Sequence, residues 1–235
     1  MDNEILETSG SRRNFLKTAA LAGAGVALGG AAFPLAAHAA TDDPPTIISV
    51  ALVAEYLAVT FQTNAIANAT AIGLTQAEVT TIQGVVAAEA IHVDYLKAYG
   101  ARDIYTGPFA FPAGTFTTRN GYATTAVILE TAFVTAYMAA VREFAADARA
   151  DLAQLAYQIG AVEAEHRALS RAVGNYLPYA DLAFETNLIP NVAAAATVLT
   201  NLGFLSPTAG NSYAYTAANQ NQAMSYIGLL TQTTP

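Results

Sequence analysis

The chain has 235 residues, of which 54% are hydrophobic and only 12% are charged. This length suits one domain with a sizeable core, and the apolar content favours a packed helical protein over a disordered chain. Because the chain contains no cysteine, disulfides, zinc–thiolate sites and iron–sulfur clusters are excluded. A net charge of −8, with no basic run beyond the N-terminus, disfavours nucleic-acid binding.

The N-terminus has the features of an export signal. Residues 11–17 are SRRNFLK, a close match to the twin-arginine pattern, and a weakly apolar stretch follows from Thr18 to Leu35. Residues 37–39, Ala-His-Ala, have the small-x-small form of a cleavage site. An uncleaved anchor helix is the alternative, but the apolar stretch is too short and too rich in glycine for a membrane span.

We therefore predict a signal peptide over residues 1–39 that the twin-arginine export machinery recognises. The mature protein is expected in the periplasm or cell envelope, without a stable membrane anchor. This pathway carries folded proteins, and it is often used when a cofactor must be loaded before export.

The following segment predicts two pairs of long helices, because apolar residues recur there at helical spacing. Thr75 and Glu78 form a capping box at the start of the second helix, and Gly100 ends it. A short turn at residues 145–148 separates the last two helices, and Gly174 ends the fourth. The predicted helices span residues 46–69, 76–99, 118–144 and about 149–173.

The segment between the second and third helices predicts a long crossover loop, because it contains Gly107, Pro108, Pro112 and Gly114. Its 17 residues, 101–117, span up to about 56 Å when extended. A helix of 24 residues is only about 36 Å long. The loop can therefore run the full height of a helical bundle and connect two helices that point the same way.

The C-terminal part of the chain is less regular. Pro178 and Pro190 break it, residues 191–202 predict a fifth, shorter helix, and residues 206–235 form a polar tail. The tail is expected to be a short packing segment or partly disordered. We thus predict three parts, a signal peptide at 1–39, a helical bundle at 40–174 and a C-terminal helix with its tail at 175–235.

A Glu-x-x-His pattern occurs twice, at Glu89 to His92 and at Glu163 to His166. In a helix, residues three apart share a face, so each carboxylate and its imidazole point the same way. Such a pair is a ligand set for a first-row transition metal. The alternative is a solvated pair on a helix surface. The neighbouring apolar stripes argue against it, because an unpaired charge inside an apolar face is costly.

Two further carboxylates accompany these motifs. Glu55 precedes Glu89 by 34 residues, and Glu130 precedes Glu163 by 33. The midpoints of the two pairs fall at residues 72 and 146.5, inside the two predicted turns. Residues equidistant from the turn of an antiparallel hairpin lie level, so each hairpin is expected to bring its two glutamates to the same height.

The order Glu, Glu-x-x-His, Glu, Glu-x-x-His resembles the ferritin-like di-iron carboxylate family. The resemblance implies an all-α fold, a ferritin-like up-down four-helix bundle with a long crossover loop, followed by a short C-terminal helix and polar tail. Within the family, the alanine-rich helices, the loop segment 111–116 (FPAGTF) and the short turn resemble exported bacterial proteins related to plant desiccation-related proteins.

The resemblance also implies a cofactor of two iron ions, with manganese as the alternative. Glu89 and Glu163 would bridge the ions, while a terminal glutamate and a histidine would complete each ion. The six implied ligands are Glu55, Glu89, His92, Glu130, Glu163 and His166. The sequence assigns no catalytic residue and no binding site for an organic cofactor.

Three functions stay open at this point. The first is a redox enzyme of ferroxidase or peroxidase type in envelope stress defence. The second is a non-catalytic desiccation- or stress-related protein with a structural or vestigial metal site. The third is a subunit of an iron-storage shell, since a homo-oligomer is compatible with the sequence.

The tyrosines and the other acidic residues near the motifs are expected to have structural roles rather than to bind metal. Tyr56, Tyr95 and Tyr137 lie near ligands in the sequence, where a tyrosine can act as a radical or hydrogen-bond partner. The favoured expectation for each is a core aromatic whose hydroxyl meets a polar edge. Glu143 is expected to be a surface charge, and Glu165 to lie outside the ligand set because it faces about 100° away per residue.

Overall fold

The computed structural model describes residues 42–180 and 182–218, and these residues form an all-α fold. No β-strand occurs within them, although Phe109 bridges Tyr213 and Thr208 bridges Asn211. The predicted fold class is therefore confirmed. The helices are α1 (Pro44–Ala67), α2 (Ala69–Ile72), α3 (Gln76–Ala98), α4 (Arg119–Ala146), α5 (Ala150–Val173) and α6 (Ala193–Asn201).

The helix ends follow the expected local chemistry. Helix α1 begins at Pro44 with proline in its first turn, where the missing N–H has no helical partner to lose. Thr75 and Glu78 form the predicted capping box at the start of α3. Gly73 and Gly100 follow their helices with φ of 82° and 94°, a left-handed conformation that suits glycine. Predicted and observed ends of the long helices agree within about two residues.

The four long helices pair in sequence order. Helix α1 packs on α3 and α4 packs on α5, the two hairpins face each other, and α6 contacts α1 and α4. Helices α1 and α4 are long and apolar enough to cross a membrane. However, 78% and 61% of their apolar windows are buried within the fold, as is usual for core helices.

The crossover loop contributes large side chains to the core. Phe109, Phe111 and Phe116 are all buried. The Phe61 ring on α1 lies 5.6 Å from Phe111 and 5.9 Å from Phe116, and it stacks on Tyr122 of α4 at 5.3 Å. The loop therefore closes one side of the bundle with an aromatic cluster, in which burial and ring packing both stabilise the fold.

Part of the polar tail packs against this loop. The backbones of Tyr213 and Phe109 exchange two hydrogen bonds of 2.8 Å. The Asn211 side chain accepts from the Phe111 backbone N–H and donates to its carbonyl, both at 3.0 Å. Residues up to 218 thus form a packing segment, whereas the predicted tail at 219–235 lies outside the described residues.

The expectation for Glu143 was wrong, because this side chain is buried. Its carboxylate accepts hydrogen bonds from the backbone N–H groups of Asp42 and Val192, each at 2.8 Å. The Asp42 side chain in turn accepts from the Ala193 N–H at 2.8 Å. Glu143 therefore ties the start of the bundle and the start of α6 to the end of α4.

Arg119 joins several segments at the other end of the bundle. Its guanidinium donates to both carboxylate oxygens of Glu78, to the Val173 carbonyl at 2.9 Å and to the Gly73 carbonyl. These contacts join the first turn, the start of α4 and the end of α5. The hydrogen bond from Arg119 lowers the pKa of Glu78 to about 2.

The Arg119→Ala variant is expected to lower the free energy of unfolding by about 1–2 kcal/mol at neutral pH, because charge-assisted hydrogen bonds of a partly exposed group are lost. Since the pKa of Glu78 lies below its ordinary value of 4.5 in the fold, this contribution is lost as the pH falls toward 2. Urea unfolding at pH 7 and in acid measures both effects.

The matched control is Arg149→Ala. Arg149 pairs with Asp151 only two residues away on an exposed surface, at 2.7 Å. We expect this variant to unfold at the urea concentration of the wild type. Equal losses in the two variants would contradict a specific role for Arg119.

Candidate metal centre

The six predicted ligands lie together at the centre of the bundle. None is more than 8% exposed to solvent. They come from all four long helices: Glu55 on α1, Glu89 and His92 on α3, Glu130 on α4, and Glu163 and His166 on α5. The helical spacing of the two Glu-x-x-His motifs turns each glutamate and its histidine inward together.

His92 faces three carboxylates. Its Nδ1 atom lies 3.1 Å from Glu89 Oε2, 3.2 Å from Glu55 Oε2 and 3.6 Å from Glu163 Oε1. Two of these residues belong to the same hairpin, and Glu163 belongs to the other one. The imidazole therefore joins the two hairpins at the level of the cluster.

His166 occupies the equivalent place in the second hairpin. Its Nδ1 atom lies 2.9 Å from Glu89 Oε1 and 3.2 Å from Glu163 Oε2. The contact with Glu89 is a close ion pair between the imidazole of one hairpin and the carboxylate of the other. Each histidine therefore contacts its own motif glutamate and that of the opposite hairpin.

The cluster divides into two groups of four side chains. Within each group, one ligand atom from every residue lies within 4.8 Å of the others. Glu89 and Glu163 belong to both groups, and the described residues hold no further group of this kind. The two groups are Glu55, Glu89, His92 and Glu163, and Glu89, Glu130, Glu163 and His166.

Two carboxyl groups of the cluster favour protonation. Burial and the neighbouring Glu163 raise the pKa of Glu55 well above its usual range, and His92 offsets only part of this effect. Burial and Glu163 likewise raise the pKa of Glu130, against the opposing effect of His166. Both shifts have the same cause, which is the cost of holding several negative charges together in a buried site.

The pKa values of the two histidines are raised, which favours the charged imidazoles. Burial alone would lower the pKa of His92, but Glu55, Glu163 and Glu89 raise it well above its usual value. Burial would also lower the pKa of His166, and Glu89 and Glu163 raise it. For Glu89, burial is outweighed by His166 and His92, and its pKa falls well below the usual range. The cluster therefore attracts positive charge.

Three carboxylate oxygens in the cluster are buried without a hydrogen-bond partner: Glu89 Oε1, Glu130 Oε2 and Glu163 Oε1. A buried oxygen of this kind costs free energy unless a donor or a cation compensates it. The unpaired oxygens come from both shared glutamates and from Glu130, so they face the two groups defined above. The donor set and its unpaired oxygens fit divalent cations.

Tyr137 is the polar neighbour of the cluster. Its hydroxyl donates a hydrogen bond to Glu55 Oε1, and burial raises its pKa, so the hydroxyl stays a neutral donor. Its Cβ atom faces α5 at Gly160, where an added Cβ atom would lie only 2.9 Å away. Glycine at this position therefore permits the close approach of α4 and α5.

The other two tyrosines near the motifs do not join the cluster. The Tyr56 hydroxyl donates to Asp103 in the crossover loop. Tyr95 is exposed, so the expectation of a core aromatic was wrong for this residue. Glu165 is also exposed, as its angle on the helix predicts. The contact with Asp103 could not be found from the sequence, because it joins residues 47 positions apart without a periodic pattern.

Two antiparallel hairpins that bury four carboxylates and two imidazoles define a class of helical-bundle protein with a centre able to bind metal. Residues 45–175, more than half of the chain, match the ferritin-like domain family, and the chain belongs to this family. The family expected from the sequence is thereby confirmed.

The export prediction is also supported by comparison. Residues 11–29 match the signal sequence of the twin-arginine translocation pathway, which indicates recognition by that machinery and export across the membrane. These residues lie outside the part of the chain that the structure describes. No curated protein and no solved structure matches the chain.

Proposed function

We propose that the six clustered side chains hold two metal ions, iron or manganese, one in each group of four. Glu89 and Glu163 would bridge the ions because they belong to both groups. Glu55 with His92 would complete one ion, and Glu130 with His166 the other. When bound, such a centre supplies redox chemistry with dioxygen or peroxide.

The observation that carries this proposal is the set of buried oxygens on Glu89, Glu130 and Glu163 that lack a hydrogen-bond partner. The imidazole contacts to Glu89 Oε1 and Glu163 Oε1 offset only part of the charge of the four carboxylates, which two divalent cations would balance. The donor set is rich in oxygen and contains two imidazoles but no sulfur. It suits iron or manganese better than copper(I) or structural zinc.

We infer further that the protein works in the periplasm or cell envelope, in iron oxidation or in oxygen and peroxide chemistry during stress defence. The twin-arginine signal supports this location, because that route exports folded proteins. Tyr137 would hold Glu55 in one orientation through its hydrogen bond. The buried position of all six ligands would exclude bulk water from the centre.

The reaction is tested by mixing ferrous ion with the mature chain, residues 40–235, and then adding dioxygen in a stopped-flow instrument. We expect ferrous oxidation to be accelerated roughly tenfold or more over solution, which requires about 1.4 kcal/mol of barrier lowering. Manganese uptake and peroxide consumption are measured in parallel. Glu165→Gln, which changes an exposed carboxylate beside the ligands, is expected to react as the wild type does.

Bound metal without turnover toward dioxygen or peroxide would contradict the redox function. It would instead favour the non-catalytic role, in which the protein is a desiccation- or stress-related component of the envelope with a structural metal site. Gel filtration of the same preparation gives the oligomeric state, and a particle on the scale of a storage shell would favour the third function.

A further inference from the structure

An apolar cavity lies beside the carboxylate cluster, between α1, α4 and α6. Its volume is about 20 Å³, and it has twelve lining residues. Every one of them is apolar apart from the hydroxyl of Tyr137. The C-terminal segment covers it with Ile189, Val192, Ala195 and Leu199, all of which are buried. The rim includes Ala136, which is half-buried, so the cavity approaches the surface there.

The size and lining of the cavity limit what can occupy it. Its volume exceeds the roughly 10–15 Å³ that one water-sized molecule needs. A water molecule also needs two or more polar partners, and a cavity lined by apolar groups stays dry. The one polar group, the Tyr137 hydroxyl, already donates to Glu55. The cavity therefore suits a single small apolar molecule.

Tyr137 connects this cavity with the cluster. The Tyr137 ring lines the cavity, while its hydroxyl contacts Glu55. Ala54, another lining residue, directly precedes Glu55 on α1. A second apolar cavity of about 10 Å³ shares Ala51, Tyr137 and Ala140 with the first. Both cavities thus meet at Tyr137, the residue whose hydroxyl contacts Glu55.

We propose that the larger cavity binds one small apolar molecule and that dioxygen is the occupant it supplies to the carboxylate cluster. The choice of dioxygen rests on the proposed function, but the affinity of the cavity for an apolar molecule does not. Hydrogen peroxide is disfavoured as the occupant, because a polar molecule would lose its hydrogen bonds there. Of the two oxidants left open above, dioxygen is therefore the one that this cavity suits.

The first test uses xenon as the probe, on the metal-free mature chain, with methyl NMR spectra recorded under increasing xenon pressure. The methyl groups of Ala132, Val192 and Leu199 are expected to show saturable shifts. Ala136→Val and Ala195→Val place extra methyl groups at the cavity and are each expected to weaken xenon binding about tenfold or more. The control Ala194→Val changes a neighbouring residue of α6 that does not line the cavity.

The second test compares oxidants on the ferrous-loaded chain. Ala136→Val and Ala195→Val, which fill the cavity, are expected to oxidise iron several-fold more slowly with dioxygen at unchanged iron content. With peroxide they are expected to react at the wild-type rate. Circular dichroism and thermal unfolding verify that both variants fold. If one of them does not fold, the other still provides the test.

The outcomes separate the two proposals. Absence of saturable xenon shifts in the wild type, or their persistence in both folded filled variants, would overturn the cavity as a binding site. Loss of xenon binding with unchanged dioxygen rates would overturn its role in supplying dioxygen. Failure of the wild-type chain to bind metal would remove the proposed function and the dioxygen role, while the xenon result would still decide whether the cavity binds an apolar molecule.

Discussion

If the wild-type chain binds two ions as proposed, replacement of both shared glutamates, Glu89→Ala with Glu163→Ala, is expected to remove them. Each of these residues belongs to both groups of ligand atoms. The double substitution therefore takes two of the four donor residues from each group and leaves only one carboxylate and one imidazole per ion. Metal content is measured by mass spectrometry on the exported protein after purification.

The same substitution is expected to abolish stabilisation by metal. A ligand at about 1,000 times its dissociation constant stabilises the folded state by about 4 kcal/mol, provided that the unfolded chain does not bind it. The wild-type chain should therefore unfold at a clearly higher temperature with metal than with a chelator. The double variant should unfold at one temperature in both conditions.

Two controls make this result specific. Glu89→Gln with Glu163→Gln retains the volume of both side chains, so it separates the loss of ligands from the creation of a cavity. Glu165→Ala removes an exposed carboxylate between Glu163 and His166 and should retain the metal. A double variant that still bound two ions would show that these glutamates are not shared ligands.

The sequence contains most of the information about this cluster because helical geometry is periodic. The spacing of the two Glu-x-x-His motifs sets the side-chain direction, and the distance from each glutamate to the turn sets its height. Both relations are local to one hairpin, and the structure brings all six predicted residues together. The helix ends were also predictable, since Gly73, Gly100 and the Thr75–Glu78 capping box act through their immediate neighbours.

The features that the sequence did not predict depend on contacts between distant segments. Glu143 lies near the end of a helix, where an acidic residue is usually exposed. It is buried because it accepts hydrogen bonds from two backbone N–H groups, those of Asp42 and Val192, which precede and follow the four long helices in the sequence. The cavity beside Tyr137 has the same origin, because its cover comes from the irregular segment before α6 and from α6 itself.

A single neutral substitution at Glu130 should change stability and metal binding in opposite directions. Glu130 is buried, and its Oε2 atom has no hydrogen-bond partner. Burial and Glu163 raise its pKa well above the usual 4.5, so the folded metal-free chain favours the protonated carboxyl. Glutamine has the same shape as that protonated form, and its amide can donate to Glu163.

The pH dependence follows from the direction of this shift. A raised pKa in the fold means that the stability associated with protonated Glu130 is present below pH 4.5 and lost as the pH rises through the folded pKa. The raised pKa values of Glu55, His92 and His166 act in the same sense, while the lowered pKa of Glu89 opposes them. The metal-free wild type should therefore be less stable at pH 8 than at pH 5.5.

Glu130→Gln is accordingly expected to raise the stability of the metal-free chain at pH 8 by about 1–3 kcal/mol, with a smaller gain at pH 5.5. With metal present the order should reverse, because the variant lacks a charged ligand at one of the two ions and gains less from binding. Urea unfolding at both pH values, with metal and with a chelator, measures all four differences. A structural role for Glu130 predicts instead that the variant is less stable than the wild type in every condition. The change in the free energy of unfolding at pH 8 without metal therefore decides between the two roles. A gain indicates a residue retained for metal binding, and a loss indicates one retained for the fold.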